Sequence, residues 1–243
     1  MATAASQGGT SRCPAKWSGV SLRLQHAIRW WPRRARRLAG HFGTGLAFRQ
    51  KCTPVGILRW WLELGCYLLD LLALGEIYET LADLCKWRTR PLTPDEIAVG
   101  REVFGESLIW KRVRIDERAW LGPRQYGLCY VSGYTINSWG PMSNPLLVHE
   151  LMHVWQYHYA GLVYIPRALR AYHSKEGYNY GGTTRLQALR RQQATLDDLN
   201  YEQQGDLVAD YYRLTKGMPP QWGFAGMDAL PVYRYFVRQL LDH

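Results

Sequence analysis

The chain has 243 residues, 47% of them apolar, with eleven tryptophans, which suits one domain with a substantial core and excludes a disordered protein. Its formal charge of +10 is uneven: residues 1–60 hold eleven Lys/Arg and no Asp or Glu, while residues 61–243 hold nineteen basic and twenty acidic groups. The basicity therefore belongs to an N-terminal segment, and no nucleic-acid partner is expected.

The first fifty-three residues form a basic extension, expected to be poorly ordered. Arg23, Arg29, Arg33, Arg34, Arg36 and Arg37 surround Trp30 and Trp31. The same run fits a cationic helix on an anionic surface or an Arg-rich targeting segment. A secretory leader is not expected, because the first apolar run follows these arginines. Residues 54–87 form an apolar helical segment, dense in Leu and Trp but broken by Arg59, Glu63 and Asp70. Three charges argue against a membrane span, so a packed helix is expected, with peripheral membrane contact through residues 21–75 as the alternative. Residues 86–94 look like a linker. Cys13, Cys52, Cys66, Cys85 and Cys129 are odd in number and lack ligand spacing. They point to buried thiols in a reducing compartment, hence a cytoplasmic location, with membrane association or export by a specialised secretion system as alternatives.

Residues 88–243 are expected to be the catalytic domain, α+β and mostly helical. Thr93-Pro94-Asp95-Glu96 opens a short helix to about Phe104. Residues 107–115 and 126–137 alternate enough to be strands. The second, through Tyr130 to Ile136, could offer an edge to an extended peptide. Asn144-Pro145 then starts a helix that should end near Gly161. Within it lies His149-Glu150-Leu151-Met152-His153. Residues four apart share a helix face, so both imidazoles can reach one zinc ion, and Glu150 lies beside them as a general base. A carboxylate in so apolar a run needs a partner or a chemical task.

A third ligand must come from elsewhere. Gln156 and Tyr159 stand where a metzincin would have Gly and His, which excludes that class, and His158 is off register. Downstream, residues 200–212 read as a helix closing at Gly217. Glu202 and Asp206, four apart, share a face. Glu202 can complete a His₂Glu site of the gluzincin kind, and Asp206 can accept the other N–H of a ligand histidine. Between the helices lies a Tyr/Gly-rich loop, where His173, Tyr178 and Tyr180 are candidates for the oxyanion donor.

Three blocks carry a resemblance: PLTPDEIAVGREVFGESLIWKRVRI (91–115), LLVHELMHVWQY (146–157) and LNYEQQGDLVADYYRL (199–214). They resemble bacterial Vgr-related proteins, small zincin-like proteins associated with secretion-apparatus spike genes. The first two blocks are also similar to the zincin-like domain found with contractile injection systems. The resemblance covers about residues 88–216. It implies a metallopeptidase fold with a small sheet beside the HExxH helix, zinc at His149 and His153, Glu150 as base and Glu202 as third ligand. It implies a peptide or protein substrate and a secretion-system setting. The other reading is a catalytically inactive zincin-fold adaptor of such a system.

Overall fold

The computed structural model describes residues 16–48, 53–85, 89–119 and 122–242. Three helices come first: α1 (Lys16–Phe48), α2 (Pro54–Leu71) and α3 (Leu74–Cys85). A short strand β1 (Arg90–Pro91) leads into α4 (Pro94–Phe104). Strand β2 (Arg114–Asp116), helix α5 (Pro123–Tyr126) and the hairpin β3 (Tyr130–Ser132) and β4 (Thr135–Asn137) follow. The remainder is helical: α6 (Asn144–Ala160), α7 (Tyr164–Tyr172), α8 (Gly182–Arg191), α9 (Tyr201–Thr215) and α10 (Leu230–Val237). The protein is therefore α+β and mostly helical, as its periodicities predict.

The four strands lie in the order β1-β2-β4-β3, with β2 and β4 parallel and the outer pairs antiparallel. Ile115 pairs with Ile136, and both are fully buried beneath α6. The expected strands are shorter than their sequence patterns. Residues 110–112 make a 3₁₀ turn, because Trp110 folds back onto Gly100 of α4 and donates its indole N–H to the Gly105 carbonyl at 3.0 Å. The 126–137 run splits into a hairpin at Gly133, whose φ of +64° favours glycine. The 86–94 linker contains β1, where Arg90 pairs with both Glu96 and Glu117; residues 86–88 lie outside the described residues.

Helix α6 is the central element. Leu147 through His158 are buried without a break, so the helix is enclosed on all sides. It begins with Pro145 in the first turn and Ser143, one residue before the expected Asn144, at the cap. It ends at Gly161, φ +72°. Helix α9 crosses α6. Its N-terminus is fixed by a capping box in which Asn200 accepts from the Gln203 N–H and Gln203 accepts from the Asn200 N–H. Gly205 lies at the crossing and lets the two axes approach: a Cβ there would sit 2.7 Å from the His149 ring.

The poorly ordered extension expected over residues 1–53 is corrected for residues 16–48, where α1 is helical and packs on α2 and α3; residues 1–15 and 49–52 lie outside the described residues. What orders it is a set of buried ion pairs that the composition alone does not reveal. Arg34 reaches Asp70 and Glu76, Arg37 reaches Asp70 at 2.5 Å, and His26 pairs with Glu76 at 2.9 Å. Arg112, from the part of the chain after α3, pairs with Glu79 of α3 at 2.7 Å. Arg37 also donates to the carbonyl of Tyr159 on α6. No helix among the described residues is long and apolar enough to cross a membrane.

Candidate metal centre

One face of α6 and one of α9 bring His149, His153 and Glu202 together. All three are buried, and one ligand atom of each lies within 4.8 Å of the others. The two Nε2 atoms are 3.1 Å apart, and Glu202 Oε2 lies 3.4 Å from His149 Nε2 and 3.3 Å from His153 Nε2. Ligands of a tetrahedral zinc ion, at about 2.0–2.1 Å from it, stand roughly 3.3 Å apart, so the spacing fits.

The tautomers follow from the outer partners. His149 Nδ1 donates to Asp206 Oδ1 at 2.8 Å, and His153 Nδ1 donates to Gln156 Oε1 at 2.8 Å. Each ring thus turns its Nε2 inward, and the two Nε2 atoms face each other across 3.1 Å, a gap that takes a shared proton or, in its place, a cation. The outer partners are themselves held. Asp206 accepts from Trp222 Nε1 at 2.5 Å, and Gln156 donates to Gln204 Oε1 and to the Tyr201 carbonyl. Such supports fix ring orientation and raise ligand basicity.

The electrostatics agree. Burial opposes charge on His149, but Asp206, Glu202 and Glu150 outweigh it and raise its pKa to about 10. Burial pushes Glu202 up, and the two imidazoles outweigh it, lowering it to about 2. The pocket strongly favours positive charge. Burial raises the Glu150 carboxyl against the pull of both histidines, and its Oε2 has no hydrogen-bond partner. An unpaired buried carboxylate oxygen is costly and is what a proton-accepting role requires. The donor set and the orphaned oxygen fit a zinc ion with room for water.

Above the three ligands opens a cavity of about 320 Å³. Its walls are β3 (Tyr130, Val131), α7 (Tyr164, Ile165, Ala168, Leu169) and Tyr178. Strand β3 is the sheet edge, so the predicted edge strand does border the cleft. Burial, then Glu150, raises the thiol pKa of Cys129, another wall residue, to about 11, which disfavours the thiolate.

Of the three loop candidates only Tyr178 is here, its ring 5.8 Å from that of His149. Burial, then Glu202 and Glu150, hold its phenol protonated and able to donate. Two candidates are corrected. Tyr180 is fully buried away from the cleft, where it donates to Asp210 at 2.7 Å and meets the Tyr233 hydroxyl. His173 is exposed, spends its Nδ1–H on the Leu169 carbonyl of its own helix, and does not line the cavity. His158 belongs to the α1 interface, 4.3 Å from the Trp30 ring. Sequence reasoning missed Tyr164, whose buried ring lies 5.9 Å from His153 on the cavity wall. Gln156, which in the sequence marks a departure from the metzincin pattern, is the residue that fixes His153, held in turn by α9.

No family model matches the chain, and no solved structure matches it. Among curated proteins, the chain is 31% identical over 140 residues to the type VI secretion system spike protein VgrG2b of Pseudomonas aeruginosa. The match covers 51% of this chain and 13% of that much longer relative.

Proposed function

We propose that the protein is a zinc-dependent peptidase of the gluzincin kind, with a zincin-like fold, and that it works in the setting of a bacterial secretion apparatus. One observation carries the chemistry: two inward-facing Nε2 atoms and Glu202 converge beside a buried carboxylate with an unpaired oxygen, at the floor of an open cleft. The secretion setting rests on the likeness to the spike protein.

His149, His153 and Glu202 would hold the ion. Zinc supplies a Lewis acid that lowers the pKa of water to about 7 and polarises a carbonyl. Glu150 takes the proton from the attacking water as the oxygen–carbon bond forms. It then delivers that proton to the amine nitrogen as the carbon–nitrogen bond breaks. Tyr178 donates to the oxygen that gains negative charge. The free edge of β3 pairs with the backbone of an extended peptide, and Ile165, Ala168 and Leu169 receive an apolar side chain.

The test couples elemental analysis with a peptide-library assay. Glu150→Gln should retain zinc and lose hydrolysis, by roughly 100-fold or more. Glu202→Ala should lose zinc as well. Cleavage surviving in Glu150→Gln would remove Glu150 as the base. A second reading, an adaptor with a structural ion, is favoured by the spike-protein likeness; it predicts one zinc per chain and no cleavage of any library peptide.

A further inference from the structure

The three N-terminal helices are inverted: their charged faces point inward and their apolar faces outward. On α2, Val55, Leu58, Leu62, Leu69 and Leu72 form one stripe along the helix and are between 44% and 77% exposed. The opposite face buries Glu63, Tyr67 and Asp70. Helix α3 repeats the pattern, exposing Leu74, Ile77, Tyr78 and Leu81 while burying Glu76 and Glu79. Helix α1 buries Trp30, Arg34 and His41 and exposes Leu24, Ile28, Trp31 and Phe42. More than half of the exposed large apolar side chains among the described residues fall within residues 20–81. A water-facing surface does not carry so continuous an apolar cover, since the largest patch on an ordinary monomer is about 300–600 Å².

The charges on the same surface say what covers it. Every carboxylate described in these helices is buried, whereas Arg36 and Arg59 are exposed; Arg29 and Arg33, also exposed, turn to the groove they share with Glu106 and Tyr159. The outward surface is thus apolar and cationic, with Trp31 and Trp61 more than half exposed on it. A second copy would set arginine against arginine. Hydrocarbon beneath a layer of negative headgroups satisfies both features, and exposed tryptophans suit that boundary. Since no described helix can cross a bilayer, the helices lie in its surface.

We propose that α1–α3 form a membrane-docking unit whose inverted apolar faces enter the surface of an anionic lipid bilayer, with Arg36 and Arg59 at the phosphates. The inner ion pairs hold the unit on the rest of the chain, so docking brings the whole protein to the membrane. This holds whether or not the cleft is a peptidase.

The test is co-sedimentation of the full-length chain with phosphatidylcholine vesicles, with and without phosphatidylglycerol. Binding should favour the anionic vesicles and persist in part at high salt. Leu58→Asp with Leu62→Asp should weaken it by about tenfold or more. Replacing Arg36 and Arg59 by Gln should cut the preference for anionic lipid by roughly 10–30-fold. Circular dichroism and unfolding midpoint check that each variant folds. Quenching of the wild-type tryptophans by brominated acyl chains tests insertion without a variant. The proposal is overturned if the wild-type chain stays in the supernatant with every vesicle. It is equally overturned if brominated lipid leaves the fluorescence unchanged, or if sedimentation velocity shows the Leu58 face buried in a self-associated dimer.

Discussion

At Gly205 a missing side chain decides where an imidazole sits. A methyl group there would come within 2.7 Å of Cε1 and 2.8 Å of Nδ1 of His149. Gly205→Ala should push the ring off Asp206, lower zinc affinity, and cost about 1–3 kcal/mol as overpacking. Chelator competition would measure the first effect and thermal unfolding the second; unchanged zinc affinity would mean the crossing has slack. Asp206→Asn keeps the shape but removes the charge that His149 leans on, and affinity should fall roughly 10–100-fold. Zinc titration with the variant checks this, and equal affinity would reduce Asp206 to a packing residue. His149, Glu150, His153, Glu202 and Asp206 were all legible in the sequence, because a four-residue spacing on a helix fixes a shared face. Tyr180 and His173 were misjudged because a loop has no such period: nothing in Tyr178-Asn179-Tyr180 says which ring turns to the cleft.

Helix α6 serves two sites with its two ends. His149 and His153 face the cleft, while His158 faces Tyr134, with which it is hydrogen-bonded, and Trp30 of α1. Burial lowers the His158 pKa to about 3, helped by His26, Arg112, Arg33 and Arg37. The folded value lies below the unfolded 6.5, so between 6.5 and about 3 the unfolded chain binds a proton that the folded chain does not. The stability from this site is full above pH 6.5 and is lost as pH falls through that interval, by about 1.4 kcal/mol per unit. His26, also lowered by burial, adds in the same direction. His158→Gln should flatten the acid side of a plot of unfolding midpoint against pH; an unaltered slope would assign the acid sensitivity to other groups. At this scale the sequence predicted α4, α6 and α9 well, since caps and prolines mark their starts. It was weakest on the strands, each only two or three residues long, where Trp110 and Gly133 impose turns by long-range packing.

Across the whole molecule, the N-terminal third is joined to the rest of the chain through charge rather than through a greasy core. Removing residues 1–85 would strip Glu79 from Arg112 and uncover Tyr134 and His158. Surface that is now packed would face water, so the shortened protein should unfold at markedly lower temperature. Calorimetry would show it, and an unshifted midpoint would make α1–α3 a mere appendage. Composition gave the charge asymmetry between the two parts but not its direction in space: a helix with one apolar face reads the same whether that face is turned in or out. The inverted arrangement also sets a problem of timing during synthesis. Arg37 meets a carbonyl 122 residues further along, and His26 meets Tyr134 after 108. At about 5–20 residues per second, α1 leaves the ribosome roughly 5–25 s before α6 exists to receive it. Through that interval its arginines have no acid from α2 or α3 at first, and no α6 until the end. Helix α1 can therefore settle on α2 and α3 well before α6 is made, and its contacts with α6 are among the last to form.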